Sequence, residues 1–261
     1  MAPPEGGEYL HKVTANSMSV NGDVPETVTA ALADQRVEGR VCLEAGAGVG
    51  NTTAGLLAAG AKRVYAVTND ADHAATVRDR IGDRNADRLA VIEADLRATP
   101  LATDSVDLVA AHGLCNVLPP AELAPIAAEL TRVAKPDGCL VVDDYAVPPA
   151  DAAVNRLFAL ENAAARVVDG RPVLTFYPPA VLVAVFAANG WSVERRKTLL
   201  NPVPWTEAHL DAHAEVVREY AAALPDSLGE PLTAMAEDLV AAIGSERTGT
   251  MYSLAFRRAD A

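Results

Sequence analysis

Glu44, Gly46, Ala47, Gly48 and Gly50 stand together in V-C-L-E-A-G-A-G-V-G-N-T-T (41–53), the densest group of chemically suggestive residues in the chain. Glycine lacks a Cβ, so it adopts positive φ and lets a ligand come up against the main chain. A helix start just beyond it offers unpaired N–H groups. Carboxylates recur after other apolar runs: Asp95, with Leu96, follows L-A-V-I-E-A, and Asp143-Asp144-Tyr145 follows C-L-V-V. His112 closes V-D-L-V-A-A. Histidine titrates near neutrality and serves as a proton acceptor, which makes His112 the first candidate catalytic base. Asp144 is the second; Asp143, Tyr145 and Tyr177 are further proton-transfer candidates. No Ser-His-Asp order, paired glycosidase acids or metal-ligand cluster stands out.

These residues need strands that end at one edge. Apolar runs and breakers predict strands at Val41–Ala45, Arg63–Thr68, Leu89–Ala94, Val106–Ala111, Cys139–Val142, Trp191–Leu199 and Gly249–Arg257. Between them, helices are expected over 25–35, 52–59, 70–81, 120–134, 151–168, 179–189, 206–224 and 230–243. Strands alternating with helices imply a parallel sheet with helices on both faces. The carboxyl ends of such strands form the binding edge.

Two cofactor classes use a glycine loop of this kind. A dinucleotide fold wants G-x-G-x-x-G with an acid about 20 residues on. Here the spacing is G-x-G-x-G, Asn51 fills the third position of the dinucleotide pattern, and the acid comes first, at Glu44. This arrangement resembles the first motif of the class I S-adenosylmethionine-dependent methyltransferases. Glu93-Ala94-Asp95-Leu96, followed by P-L-A-T-D-S-V-D-L-V (100–109), resembles the family's second signature, and R-V-A-K-P-D-G (132–138) its turn into the fifth strand, with Asp137 replacing a glycine.

The resemblance covers 41–145. It implies an α/β, doubly wound, mostly parallel seven-stranded sheet with a reversed last strand, helical lid insertions, S-adenosylmethionine as cofactor and S-adenosylhomocysteine as product. The implied cofactor contacts are Glu44, Gly46, Ala47 and Gly48 at the methionine end, Asp95 and Leu96 at the adenine, and His112. For the ribose the family's acid is replaced by Thr68, with Asn69 next; a register slip that uses Asp70 is the other reading. Gly113-Leu114-Cys115-Asn116-Val117 and Asp144-Tyr145 resemble the G-L-R-N-V and Glu-Phe stretches of ubiquinone and menaquinone C-methyltransferases, with Cys115 in place of the arginine. Quinone precursors are thus one expected substrate class. Tyr9, Tyr145 and Tyr177 are the expected substrate contacts. Two competing readings are a macromolecular methyltransferase, on protein or RNA, and a non-enzymatic S-adenosylmethionine-binding module, the latter motivated by Thr68.

Length and composition set the outer limits. A chain of 261 residues with 50% hydrophobic content suits one domain. Its expected parts are a leader over 1–39, a cofactor-binding core over 41–145, and substrate-lid insertions over 151–177 and 201–248. Three scattered cysteines, Cys42, Cys115 and Cys139, read as free thiols. No run is long and apolar enough for a membrane span, and a cytoplasmic location is expected. A net charge of −13 opposes a general nucleic-acid-binding surface; the partner that the resemblance implies is a small-molecule methyl acceptor. Only four of 22 basic residues are lysine, a balance that resembles proteins of salt-rich cytoplasm; a GC-rich genome gives a similar one. The oligomeric state has no signature in the sequence.

Overall fold

A computed structural model describes residues 24–259. Tyr9, one of the expected substrate contacts, lies outside the described residues. Helix α1 (Glu26–Leu32) follows Pro25, which precedes its first turn. The core then alternates as β1 (Val41–Ala45), α2 (Asn51–Ala58), β2 (Arg63–Thr68), α3 (Ala71–Val77), β3 (Leu89–Glu93), β4 (Val106–His112), α4 (Pro120–Val133) and β5 (Ala134–Tyr145). A π-helical turn, Arg78–Gly82, continues α3. Asp70 caps α3 by accepting the His73 N–H at 2.9 Å, which explains why the helix starts where it does.

β1 to β5 are parallel to their neighbours. The sheet order is β3-β2-β1-β4-β5-β9-β6, with β9 (Met251–Arg258) antiparallel to both β5 and β6 (Trp191–Leu200). This is the expected seven-stranded sheet with its last strand reversed. Its central strands are covered on both faces, so they read as nearly continuous apolar runs; Cys42, Leu43 and Ala45 are fully buried. Strand order reverses between β1 and β4, the place where open α/β sheets leave a crevice. Gly46 and Leu114, from the loops after these two strands, meet across it: a Cβ on Gly46 would lie 2.8 Å from Leu114 Cδ1.

The expected boundaries shift in three places. β5 is entered through a bulge in which Asp137 has φ 56°, a left-handed geometry that aspartate tolerates. Helix α8 (Asp226–Ile243) begins four residues before the expected start, because Gly229 and Pro231 lie inside it. Gly229 is required by packing, since a Cβ there would meet the Ala221 carbonyl oxygen at 2.5 Å. A short ribbon, β7 (Val203–Trp205) against β8 (Glu246–Thr248), was not expected from sequence.

The two insertions form one helical cap. α5 (Val154–Asp169), α7 (Glu207–Ala222) and α8 pack on one another, and α6 (Pro179–Ala187) packs beside β6. The cap has its own apolar cluster, including Leu157, Phe158, Trp205, Val217, Tyr220 and Leu239. Glu246 of β8 ties the insertions together. Its carboxylate accepts the backbone N–H groups of Ala153 and Val154 at 3.0 and 2.9 Å, at the start of α5.

Candidate functional site

The loop after β1 is fixed before any ligand is considered. Gly46 and Ala47 both donate to the Val67 carbonyl of β2, at 3.0 and 2.9 Å, and Gly50 donates to Ala47 at 2.8 Å. Gly46, Gly48 and Gly50 have φ of 76°, 49° and 87°. A branched residue at Gly48 would be strained there. Glu44, at the end of β1, is buried and accepts the Thr53 hydroxyl of α2. Burial pushes its carboxyl up to about 7, against the hydrogen bonds from Thr53 and the charge of His112. Glu44 therefore braces the loop against the helix start.

β2 and β3 deliver the next group. Thr68 is buried, and its hydroxyl accepts the Asp70 N–H at 3.2 Å. Asp70 is occupied as the α3 cap. Asn69, exposed between them, is the polar side chain this strand end presents, so neither Thr68 nor the Asp70 alternative is the more accessible choice. Asp95 is exposed, and Arg97 holds it from three directions: its backbone N–H at 2.7 Å, Nε at 2.9 and 3.0 Å, and Nη2 at 2.5 Å. The Arg97 hydrogen bonds keep the Asp95 carboxyl below its ordinary range. Leu96 turns inward and joins the sheet core.

His112 and Asp143 are register partners at the ends of β4 and β5. His112 Nδ1 lies 3.2 Å from Asp143 Oδ2. Burial works against the imidazolium, but the Asp143 hydrogen bond and the charges of Asp143, Asp144 and Glu44 outweigh it, so the His112 pKa is raised. With Nδ1 turned to Asp143, Nε2 is the atom left to meet a reacting group.

Asp144 differs from its expected role. It is 0% exposed, and its two carboxylate oxygens accept the Cys115 and Asn116 N–H groups at 2.9 and 3.3 Å. Burial pushes it up to about 7. Its surroundings suit a clamp on the loop after β4, in place of the second catalytic base. Tyr177 also departs from expectation: it is 6% exposed and packs in the sheet core, and its hydroxyl donates to the Leu118 carbonyl at 2.7 Å. Its hydroxyl hydrogen is thus committed to the Leu118 carbonyl. Tyr145 sits at the sheet edge with its ring 5.3 Å from Trp205 of the cap. Burial raises its phenol to about 12, so it serves near neutrality as a donor or packing surface and not as a base.

The loop after β4 is tied in by its asparagine. Asn116 joins three segments: it donates to the Tyr145 and Thr175 carbonyls and accepts the Tyr145 N–H. Two buried oxygens at this edge, Asn51 Oδ1 at the start of α2 and Asp143 Oδ1, have no partner among the described residues. Most buried polar atoms are hydrogen-bonded, which makes these two candidate contacts for a polar ligand. The glycine cradle, the helix start and the unpaired oxygens all suit an amino-acid-bearing nucleoside. No group of three or more metal-ligating side chains occurs among the described residues, and no helix there is long and apolar enough to cross a membrane.

Comparison with known proteins adds to this geometry. Residues 42–138 match a family described as a methyltransferase domain. A curated relative, "Demethylmenaquinone methyltransferase" of Clavibacter sepedonicus, is 34% identical over 137 residues, which are 52% of this chain and 54% of the relative. The chain thus aligns with about half the length of that relative. Among solved structures, the [4+2]-cyclase SpnF superimposes with a TM-score of 0.65 and 16% identity, covering 100% of this chain and 98% of that one. Geranyl diphosphate C-methyltransferase from Streptomyces coelicolor A3(2), solved with Mg2+, geranyl diphosphate and S-adenosyl-L-homocysteine, superimposes with a TM-score of 0.57 and 15% identity, covering 88% and 76%. At these identities the structures share the fold.

Proposed function

We propose, from the match of residues 42–138 to a family described as a methyltransferase domain, that the protein transfers a methyl group from S-adenosylmethionine to a small-molecule acceptor. The observation that carries this reading is the braced glycine loop at the switch point: three positive-φ glycines between Glu44 and α2, facing the end of β4. S-adenosylmethionine supplies a methyl group on an electrophilic sulfonium. The chain's own residues do the rest. The 46–50 loop and Glu44 hold the amino-acid end, Asn69 with Thr68 the ribose, and Asp95 with Leu96 the adenine. His112, oriented by Asp143, accepts a proton when the acceptor loses one, and the cap excludes water as a lid. Orientation of the acceptor in line with the methyl group supplies much of the rate.

The relative's name supports quinone precursors as the acceptor class, in line with Gly113-Leu114 and Asn116-Val117. One observation favours a different reading. The structure superimposed over the whole chain is called a cyclase, and a fold alone does not fix chemistry; binding of S-adenosylmethionine without transfer would also suit the uncharged Thr68. A macromolecular acceptor has no comparable support on a chain of net charge −13.

Calorimetric titration with S-adenosylhomocysteine, followed by a mass shift of one methyl in a metabolite extract, separates these readings. Binding with a mass shift is expected; binding without it supports the non-transferring reading, and no binding at any salt concentration rejects the cofactor. Gly48→Val, which forces a branched side chain onto φ 49°, is expected to abolish binding.

A further inference from the structure

Arg132 opens the R-V-A-K-P-D-G stretch (132–138) in the last turn of α4, and its guanidinium reaches back to the segment between β3 and β4. That segment, residues 94–105, contains no helix or strand. Irregular connections of about 12 residues or more are uncommon in compact domains, and ordered ones usually carry function. The first part is a tight turn. The Arg97 N–H donates to Asp95 Oδ1 at 2.7 Å, and the Ala98 N–H donates to the Asp95 carbonyl at 3.0 Å. Thr99 follows at once and is bound to α4: Glu129 Oε1 accepts its N–H at 2.7 Å and its hydroxyl at 2.6 Å. Arg132 holds carboxylate and segment together. Its Nε and Nη2 donate to the two Glu129 oxygens at 2.7 Å, Nη2 also to the Leu101 carbonyl at 2.8 Å, and Nη1 to the Thr103 hydroxyl at 3.1 Å. The main chain of the same helix end completes the hold, with the Asp104 and Ser105 N–H groups on the Arg132 and Val133 carbonyls at 3.0 and 2.9 Å.

Glu129 stands on an otherwise apolar face. The buried residues of α4 are Leu123, Ile126, Ala127, Leu130, Val133 and this one carboxylate, 7% exposed. Burying a carboxylate is costly unless hydrogen bonds to charged partners meet it, and apolar residues of similar volume are often as stable or more so. The Arg132 hydrogen bonds, with those from Thr99, hold its carboxyl down to about 2 against that burial. What the clasp supplies is position. The Ala94 N–H is anchored on the Thr68 carbonyl at 2.9 Å and Thr99 on Glu129, so the Asp95 turn is fixed from both sides.

We propose that Glu129 and Arg132 are positioning residues for the purine of the cofactor: through Thr99 they hold the Asp95 turn where its carboxylate accepts the adenine 6-amino group, and they thereby set the preference for adenine over a purine with oxygen at that position. The proposal rests on the assignment of Asp95 and Leu96 to the adenine. An amino group donates to a carboxylate, whereas an oxygen in its place sets two acceptors face to face and leaves both unpaired. A hydrogen bond weakens steeply outside a narrow range of length and angle. A turn that drifts therefore loses this distinction before it loses the apolar contact of Leu96. Arginine fits the task because its planar fork meets a carboxylate and carbonyls at once in fixed directions, while a lysine ammonium is a single point charge on a flexible stem.

The test is calorimetric titration of the full chain with S-adenosylhomocysteine and with S-inosylhomocysteine, in which oxygen replaces the 6-amino group. The wild type is expected to prefer the adenine ligand by at least about 10-fold, since a site built for an N–H donor rejects the analogue without one. Arg132→Lys keeps a charge beside Glu129 but loses the fork; it is expected to bring the preference below about 3-fold by weakening S-adenosylhomocysteine alone, with S-inosylhomocysteine within about 2-fold of wild type. Glu129→Gln retains an oxygen that accepts from Thr99 and is expected to keep the preference. Glu129→Leu is expected to lose it.

An unchanged preference in Arg132→Lys, or an equal loss of both ligands, would overturn the proposal: the clasp would then support the fold alone, and the methyltransferase reading would survive. No preference in the wild type would overturn it together with the Asp95 assignment, again leaving cofactor binding in place. Failure of the wild type to bind S-adenosylhomocysteine would remove both. If Glu129→Leu does not fold, Arg132→Lys decides by the same comparison, and the reverse.

Discussion

His112 and Asp143 sit side by side at the ends of β4 and β5, Nδ1 to Oδ2 at 3.2 Å, because parallel register places them opposite each other. Backbone pairing thus sets the geometry of the proposed base. His112→Ala is expected to lower methyl transfer by about 10²- to 10⁴-fold, with S-adenosylhomocysteine affinity nearly intact. The rate should rise with pH through a value above histidine's ordinary 6.5, since the imidazolium is favoured here. Asp143→Asn removes that support and should move the limb to lower pH. The same raised pKa adds stability below the unfolded value, and that contribution is lost as pH rises through the folded one. Rate profiles of the wild type and both variants check this.

Glu44 gives a stability signature of its own. Its carboxyl is raised to about 7, so the folded chain holds a proton there that the unfolded chain releases near pH 4 to 5. Stability from this group therefore falls as pH rises from that range through about 7. Relative to the wild type, Glu44→Gln should gain stability steadily between pH 5 and 8 in urea unfolding curves. A constant difference would mean that Glu44 is ionised throughout.

The Asp95–Arg97 pair separates fold from binding. Both side chains are about half exposed, and exposed ion pairs add roughly 0 to 1 kcal/mol to stability. Asp95→Ala should therefore melt like the wild type yet weaken S-adenosylhomocysteine binding by about 1 to 3 kcal/mol. Arg97→Ala frees the carboxylate and should leave affinity equal or tighter. Calorimetry on both variants decides.

Glu246 caps α5 from 92 residues away. Loss of such a cap costs about 0.5 to 2 kcal/mol, so Glu246→Ala should lower cap stability by that amount. Amide hydrogen exchange should show the loosening in both α5 and α7, not in the sheet.

What could be read from the sequence was whatever local spacing encodes. The strand before Gly46, the acid at Glu44 and the reversed β9 follow from apolar runs, breakers and family spacing. Tyr177 could not be read, because only the fold brings Leu118 to its hydroxyl. Asp144 looked like an edge acid, but its carboxylate turns toward Cys115 and Asn116, which are distant in sequence.

β9 supplies the last described strand of the chain, yet it lies between β5 and β6. β6 has no other neighbour in this sheet. As the polypeptide leaves the ribosome, β5 and β6 thus present open edges until residues 251–258 arrive to bridge them, and unpaired edges invite association between molecules. Nascent chains arrested before that point should need chaperone protection that released chains do not.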